Sequence, residues 1–421
     1  MKWPLLLLLA VLPLQWFVVV GPLRLHIVAM LVFLAIVVLR LRGQAFLPVL
    51  RVAAPFVVAN VALCVIWLGA AVYHGLGAQQ PVQQLAYLAV FVAVGTLVHR
   101  GLSDDRWIGV LRWSALVAVT SLLVALSISM AVNGVNAAAV FGQTIASADP
   151  QILQQELFRS AFAGFGFNED SVRGNFRHEV FGALVVAMTM SAACVGLRPF
   201  GSVPARRLYV VSMVLGTTLV VLSLSRSIMI AAAAWPLLAV LRGLLGTRIT
   251  PRLLGGALLA GTGVGVLAAT GAMQVLWVRF TQDTGSYEAR DGLYERAFEN
   301  IGANALTGGV ATAGESSHNF VLDTWLRTGV FGAVAAVTIS VLLLGLLLSL
   351  AVNLHREPAW MLPVAAMLLL PLVRMFTAGG GLIPPVSWVG LGLAAGFIVH
   401  RRSILRAERE SSGDRLTGRP S

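Results

Sequence analysis

Apolar and polar positions along this chain fall into long blocks, without the 3.6-residue alternation of a half-buried surface helix. Apolar stretches run near 3–20, 24–39, 52–73, 82–98, 108–132, 179–197, 207–224, 227–241, 253–273, 327–350, 359–376 and 385–400. As helices, blocks of this length suit a hydrocarbon layer about 30 Å thick. A backbone inside lipid must satisfy its own hydrogen bonds, which predicts helices and not isolated strands. The expected fold is an all-α integral membrane protein of about 12 transmembrane helices. Residues 1–400 would form a single polytopic domain and 401–421 a basic, frayed tail. The first block is expected to stay in the mature chain, since it carries Pro4 and Pro13 and no small-x-small site follows before Arg24.

Composition narrows the class. Hydrophobic residues make up 58% of the chain and charged residues 11%, against roughly 25% charged in soluble domains. A soluble enzyme, a nucleic-acid module and a disordered chain are thereby excluded. The net charge of +12 does not reverse this, because the arginines cap apolar blocks and form no single stripe; membrane lipids, and no nucleic acid, are the expected contacts. Cys64 and Cys194 sit in different apolar blocks, where packing is their expected role. Lys and Arg concentrate in alternate connections and in the tail, which puts both termini in the cytoplasm by the positive-inside bias. Two long connections, about 133–178 and 274–326, then share the opposite face. Long loops in a compact architecture tend to carry function.

In the first long loop, Asp149-Pro150 predicts a helix start, with Ile152, Leu153, Leu157 and Ala161 on one face of a membrane-surface helix. Further on, Arg173 and Arg177 lie beside glycines and His178; they could grip an anion or simply be solvated. A tight hairpin, Leu222-Ser223-Leu224-Ser225-Arg226-Ser227, wedges one arginine between two apolar blocks. Arg226 has two readings, snorkelling to headgroups or anion binding at a serine-flanked helix start.

In the second loop, Ser286 is expected to cap a helix of about 287–301 that ends at Gly302. Arg290, Tyr294, Ala297 and Ile301 recur along one face of it. After Thr307-Gly308-Gly309 and a flexible stretch, His318 is expected to open the next helix with Ser316 or Ser317 as cap. It reads either as a general base, since neutral imidazole accepts a proton, or as an interfacial histidine.

The segment HisAsnPheValLeuAspThrTrpLeuArgThrGly, 318–329, resembles the His-Asn-x-x-Leu-x-x-x-x-x-x-Gly signature of the O-antigen ligase and polymerase superfamily. Arg290 and Gly308-Gly309 match the Arg and Gly elements that precede it, and Ser225-Arg226 resembles the Ser-Arg element between two spans. The four elements fall in order, with motif-level similarity confined to about 222–332. The family comprises C-type (GT-C) membrane glycosyltransferases that move glycan from an undecaprenyl-diphosphate donor on the periplasmic face. The resemblance implies that His318 is catalytic and that Arg226 and Arg290 hold the donor's diphosphate, with Asn319, Ser225 and Gly309 in support; Tyr294 joins the supporting set from its place on the Arg290 face. Arg173 and Arg177 join this set on charge alone.

The resemblance also implies a place in a Gram-negative inner membrane and transfer of O-antigen polysaccharide to a sugar hydroxyl of lipid A-core. No cofactor is expected. The first outer loop, Gly21-Pro22-Leu23-Arg24-Leu25-His26, lacks the carboxylates with which metal-using members of the wider class bind a cation, so metal-independent, inverting transfer is expected. A polymerase extending lipid-linked repeats is the alternative within the family. A transporter fits less well, because the mid-span regions are nearly free of charge and show no repeat.

Overall fold

The computed structural model describes all residues except 16, 21–22, 161–175, 246–268, 270, 283–284, 311–315, 378–381, 383 and 418–421. It is a helical bundle. Eight helical segments among the described residues are long and apolar enough to cross a membrane: Gly43–His74, Gln79–Gly101, Asp105–Val132, His178–Leu197, Val203–Leu222, Arg226–Leu244, Phe320–Val352 and Ala359–Thr377. They match eight of the apolar blocks. The block at 253–273 falls largely outside the described residues.

The first two blocks depart from expectation. Helix α1 (Lys2–Val11) runs on as a 3-10 turn to Leu14, and α2 (Leu25–Arg40) has 16 residues. At 1.5 Å per residue α2 extends about 24 Å, short of the hydrocarbon thickness. Between them a small antiparallel hairpin pairs β1 (Val18–Val20) with β2 (Leu23–Arg24), register Val18↔Arg24. The β-branched run favours extended backbone, and the Gly21-Pro22 pair in the sequence is a turn signal, so apolarity alone misjudged the helix ends.

Six further helices follow: α3 (Leu47–His74), α4 (Gln79–Gly101), α5 (Asp105–Leu111), α6 (Ser114–Val132), α7 (Ala137–Ser147) and α8 (Pro150–Ile152). Asp149 caps α8, its carboxylate accepting the Gln151 amide at 2.8 Å, and the helix continues in a π turn to Ser160. Leu153 and Leu157 are buried in the core of the bundle, so this face packs on the protein instead of lying on the membrane surface; position 161 lies outside the described residues. Then come α9 (Phe176–Leu197), α10 (Val203–Leu222), α11 (Arg226–Leu245), α12 (Ala272–Trp277, extended by a π turn to Gln282) and α13 (Gly285–Asn304). The last three are α14 (Phe320–Val352), α15 (Val364–Thr377) and α16 (Pro385–Thr417). The apolar half of α16, Pro385 to His400, is mostly buried between its neighbours. The helix does not fray at 401 but runs on through Thr417, with Arg401 paired to Glu357 at 3.0 Å.

Between lipid-embedded helices the hydrophobic effect supplies little, so close backbone approach and polar contacts hold the bundle. Helices α4 and α16 meet through Gly95, Gly392 and Gly396; a Cβ added at Gly396 would lie 2.5 Å from the Val98 Cβ. Asn60 and Gln84, both buried, join α3 to α4 by an amide hydrogen bond of 3.1 Å. At one end, Arg112 lies over the Phe200 ring at 4.2 Å and the His99 and His400 rings stand 6.4 Å apart. The opposite end gathers His74, His178, Arg226, His318 and Arg374.

Candidate active site at one end of the bundle

His318 does not open α14. Asn319 is the N-cap, its Oδ1 accepting the amides of Val321 and Leu322 at 3.0 and 3.3 Å, and Phe320 is the first helical residue. Neither serine caps the helix, because both are engaged elsewhere. Ser316 Oγ donates to Asp323 Oδ2 at 2.6 Å, and the Ser317 amide and Oγ both donate to Asp323 Oδ1 at 2.7 Å. The His318 amide donates to Ser316 Oγ at 3.2 Å. Two residues of loop are thus tied to a carboxylate one turn into the helix. Hydrogen bonds to a charged group contribute about 1.5–3 kcal/mol each.

That anchoring overcomes a strain. His318 has φ +57, in the left-handed region that costs a residue with a Cβ about 1–3 kcal/mol. Such strain persists only where surrounding contacts enforce it, and it concentrates at functional sites. The His318 side chain is half-buried, and no described residue hydrogen-bonds its imidazole.

The glycines carry a backbone crossing. Helix α14 is broken at Gly329 (φ 71, ψ −167), and the 305–310 segment lies across the break. Gly309 N donates to Arg327 O at 3.1 Å, Val310 N to Leu326 O at 3.0 Å and Val330 N to Ala305 O at 3.0 Å. A Cβ at Gly308 would come within 2.5 Å of Gly329 N, and one at Gly329 within 2.0 Å of Leu306 O. Trp325 Nε1 donates to Ala305 O at 2.9 Å, and His74 Nε2, from the end of α3, to Thr307 O at 3.0 Å. Arg327 donates to Gln80 Oε1 and lies over the Trp67 ring at 5.5 Å, tying the outer turns of α14 to α3 and α4. Gly308, Gly309 and Gly329 are therefore needed for steric reasons.

Helix α13 begins at Gly285, so position 286 lies inside it and is not the N-cap; the helix ends at Asn304, past Gly302. Ala297 and Ile301 pack with Leu326 of α14, and Tyr294 is half-buried on the same face. Position 290 continues that face, although the Arg290 side chain lies outside the described residues. So does the Arg177 side chain at the start of α9, and all of Arg173.

The second cluster forms around the α10–α11 hairpin. Ser223, Ser225 and Ser227 are buried, and Leu224 has φ +49. Arg226 does not snorkel. Its Nε and Nη2 donate to the Arg279 carbonyl at 3.0 and 2.5 Å, while Arg279 Nε donates back to Leu224 O at 3.0 Å. Ser225 Oγ lies 2.5 Å from His178 Nδ1 and 3.4 Å from Ser227 Oγ. Beside His178, Glu179 faces Arg374 of α15 with 3.8 Å between Oε1 and Nη2. Helix α14, which follows His318, packs along α15, the helix that carries Arg374.

Arg279 and Asp323 escaped the sequence reading. Arg279 interrupts the apolar run Trp277-Val278-Arg279-Phe280, and an arginine in such a run is a signal that could have been weighed. Asp323 stands inside the motif at an unspecified position.

Comparison of the chain with models of known protein families gave no match, and comparison with curated proteins gave none either.

Proposed function

We propose that this protein is a membrane glycosyltransferase that moves a glycan from a lipid-linked diphosphate donor to an acceptor hydroxyl, with His318 as general base. The observation that carries the reading is the strained, hydrogen-bond-anchored backbone of His318, displayed at the end of the bundle that also holds the Arg226 cluster. The twelve-span topology with both termini in the cytoplasm belongs to this proposal, as does a site facing the periplasm of a Gram-negative cell.

In the proposed reaction the acceptor oxygen attacks the anomeric carbon while the bond from that carbon to the diphosphate oxygen breaks. The bonding pair leaves with the diphosphate, and the hydroxyl proton passes to the His318 imidazole. Arginine suits the leaving group, because its guanidinium keeps its charge and matches phosphate oxygens in a two-pronged fork. Arg226 and Arg290 take that role. Direct displacement inverts the anomeric centre. Lipid A-core is the acceptor in the ligase reading; a second lipid-linked repeat is the acceptor in the polymerase reading. The motif order is shared by both, and the moderate lengths of the two long loops favour the ligase.

The test uses purified protein in detergent with undecaprenyl-diphosphate-linked glycan and lipid A-core, with and without EDTA. Glycan on lipid A, undiminished by EDTA, is the expected result. Glycan lengthened only on the carrier would replace the ligase by a polymerase, and no transfer to either acceptor would overturn the proposal.

A further inference from the structure

Arg374 is a charged side chain with two guanidinium nitrogens that find no hydrogen-bond partner among the described residues. It is 1% exposed, in the last turn of α15, and its one ion-pair partner among the described residues is Glu179 at 3.8 Å, beyond hydrogen-bond length. Nε and Nη1 have no hydrogen-bond partner among the described residues. A guanidinium offers five N–H donors. Burying such a charge without hydrogen bonds is costly, and ionisable groups inside membrane proteins commonly mark substrate pathways.

Its position bears on which substrate. Glu179 follows His178, and His178 reaches Ser225 Oγ beside Arg226. Helix α15 packs along α11, whose first residue is Arg226, and against α9, which carries His178 and Glu179. Among the described residues Arg374 gives no N–H to a backbone carbonyl, whereas Arg226 and Arg279 each give Nε to one.

We infer that Arg374 is an anion-binding residue of the donor site, whose free N–H groups take phosphate oxygens of a lipid-linked diphosphate, with Glu179 as the placeholder that holds the guanidinium in position. The inference rests on the diphosphate-donor reading of the site. A purely architectural ion pair makes the opposite forecast: loss of either partner would lower stability and leave ligand affinity alone.

Binding of undecaprenyl diphosphate to the full-length protein in nanodiscs separates the two, with undecaprenyl monophosphate and inorganic pyrophosphate as comparison probes and thermal unfolding followed in parallel. Arg374→Gln should weaken undecaprenyl diphosphate binding about 10- to 100-fold, the range for losing hydrogen bonds to a charged group. Arg374→Lys, which keeps the charge but not the fork, should fall between, and it carries the test if the glutamine variant does not fold. Glu179→Gln should bind as well as wild type or better. In turnover, Arg374→Lys should raise donor KM and leave acceptor KM unchanged. Competition by pyrophosphate would assign recognition to the diphosphate itself; competition by monophosphate alone would count against it. If wild type binds and folded Arg374 variants bind equally well, Arg374 has no such role while the donor reading stands. If wild type itself does not bind undecaprenyl diphosphate, both fall together.

Discussion

The two clusters of the candidate site are built from opposite materials. Around His318, backbone does the positioning: glycines let the 305–310 segment cross the broken α14, and amides and serines converge on Asp323. Around Arg226, side chains do it: guanidiniums reach across to carbonyls, and His178 meets Ser225. Backbone crossings are rigid and tolerate almost no substitution, whereas arginine contacts can be remade as a ligand arrives. The contrast suits a reaction in which a base must hold still and a charged leaving group must be received. It also divides the expected kinetics: damage to the first cluster should appear in kcat, and damage to the second in donor KM.

The sharpest challenge to that division is His318→Ala. Removing a general base costs typically about 10²- to 10⁴-fold in rate, and donor binding should be untouched; a variant retaining wild-type kcat would end the proposal. Next comes Gly329→Val. A side chain there meets Leu306 O and needs a positive φ, so a stability loss of about 3 kcal/mol or more is expected, read as a lower unfolding temperature in detergent. A Gly329→Val protein as stable as wild type would mean that the crossing is not rigid. For the second cluster, Arg226→Lys keeps the charge but loses the two-pronged contact, and donor KM should rise about tenfold, with the smaller change in kcat. A fall in kcat at unchanged KM would move Arg226 into the other group. The smallest effect is expected from Ser316→Ala, which removes one of the donors to Asp323. A stability change of about 1.5 kcal/mol, the low end for a hydrogen bond to a charged group, and a several-fold drop in kcat would show that the Asp323 tether sets the His318 pose.

Much of the fold was legible because lipid demands long apolar blocks, and eight of those blocks became helices of spanning length. Block boundaries were less legible. The stretch between α1 and α2 is as apolar as a helix, yet its run of valines pairs with Leu23 and Arg24 as a hairpin. In the candidate site, His318 and Arg226 could be singled out from residue type and position. Their geometry could not, since it depends on tertiary partners: Asn319 outcompetes the two serines as cap because Asp323 claims them. Arg279 was obscured for a related reason: its importance lies in what it faces at the α10–α11 hairpin, far away in sequence.

The crossing of the 305–310 segment over α14 has a consequence for biogenesis. His74 reaches Thr307 across 233 residues of sequence and Arg327 reaches Gln80 across 247. Neither contact can form until positions 307 and 327 have left the ribosome and α14 stands beside α3 and α4. Helices inserted earlier therefore wait as an assembled but inert scaffold. A chain released before position 318 would carry its arginine hairpin and lack its histidine, so on the proposed reading the general base is the last part of the site to be supplied.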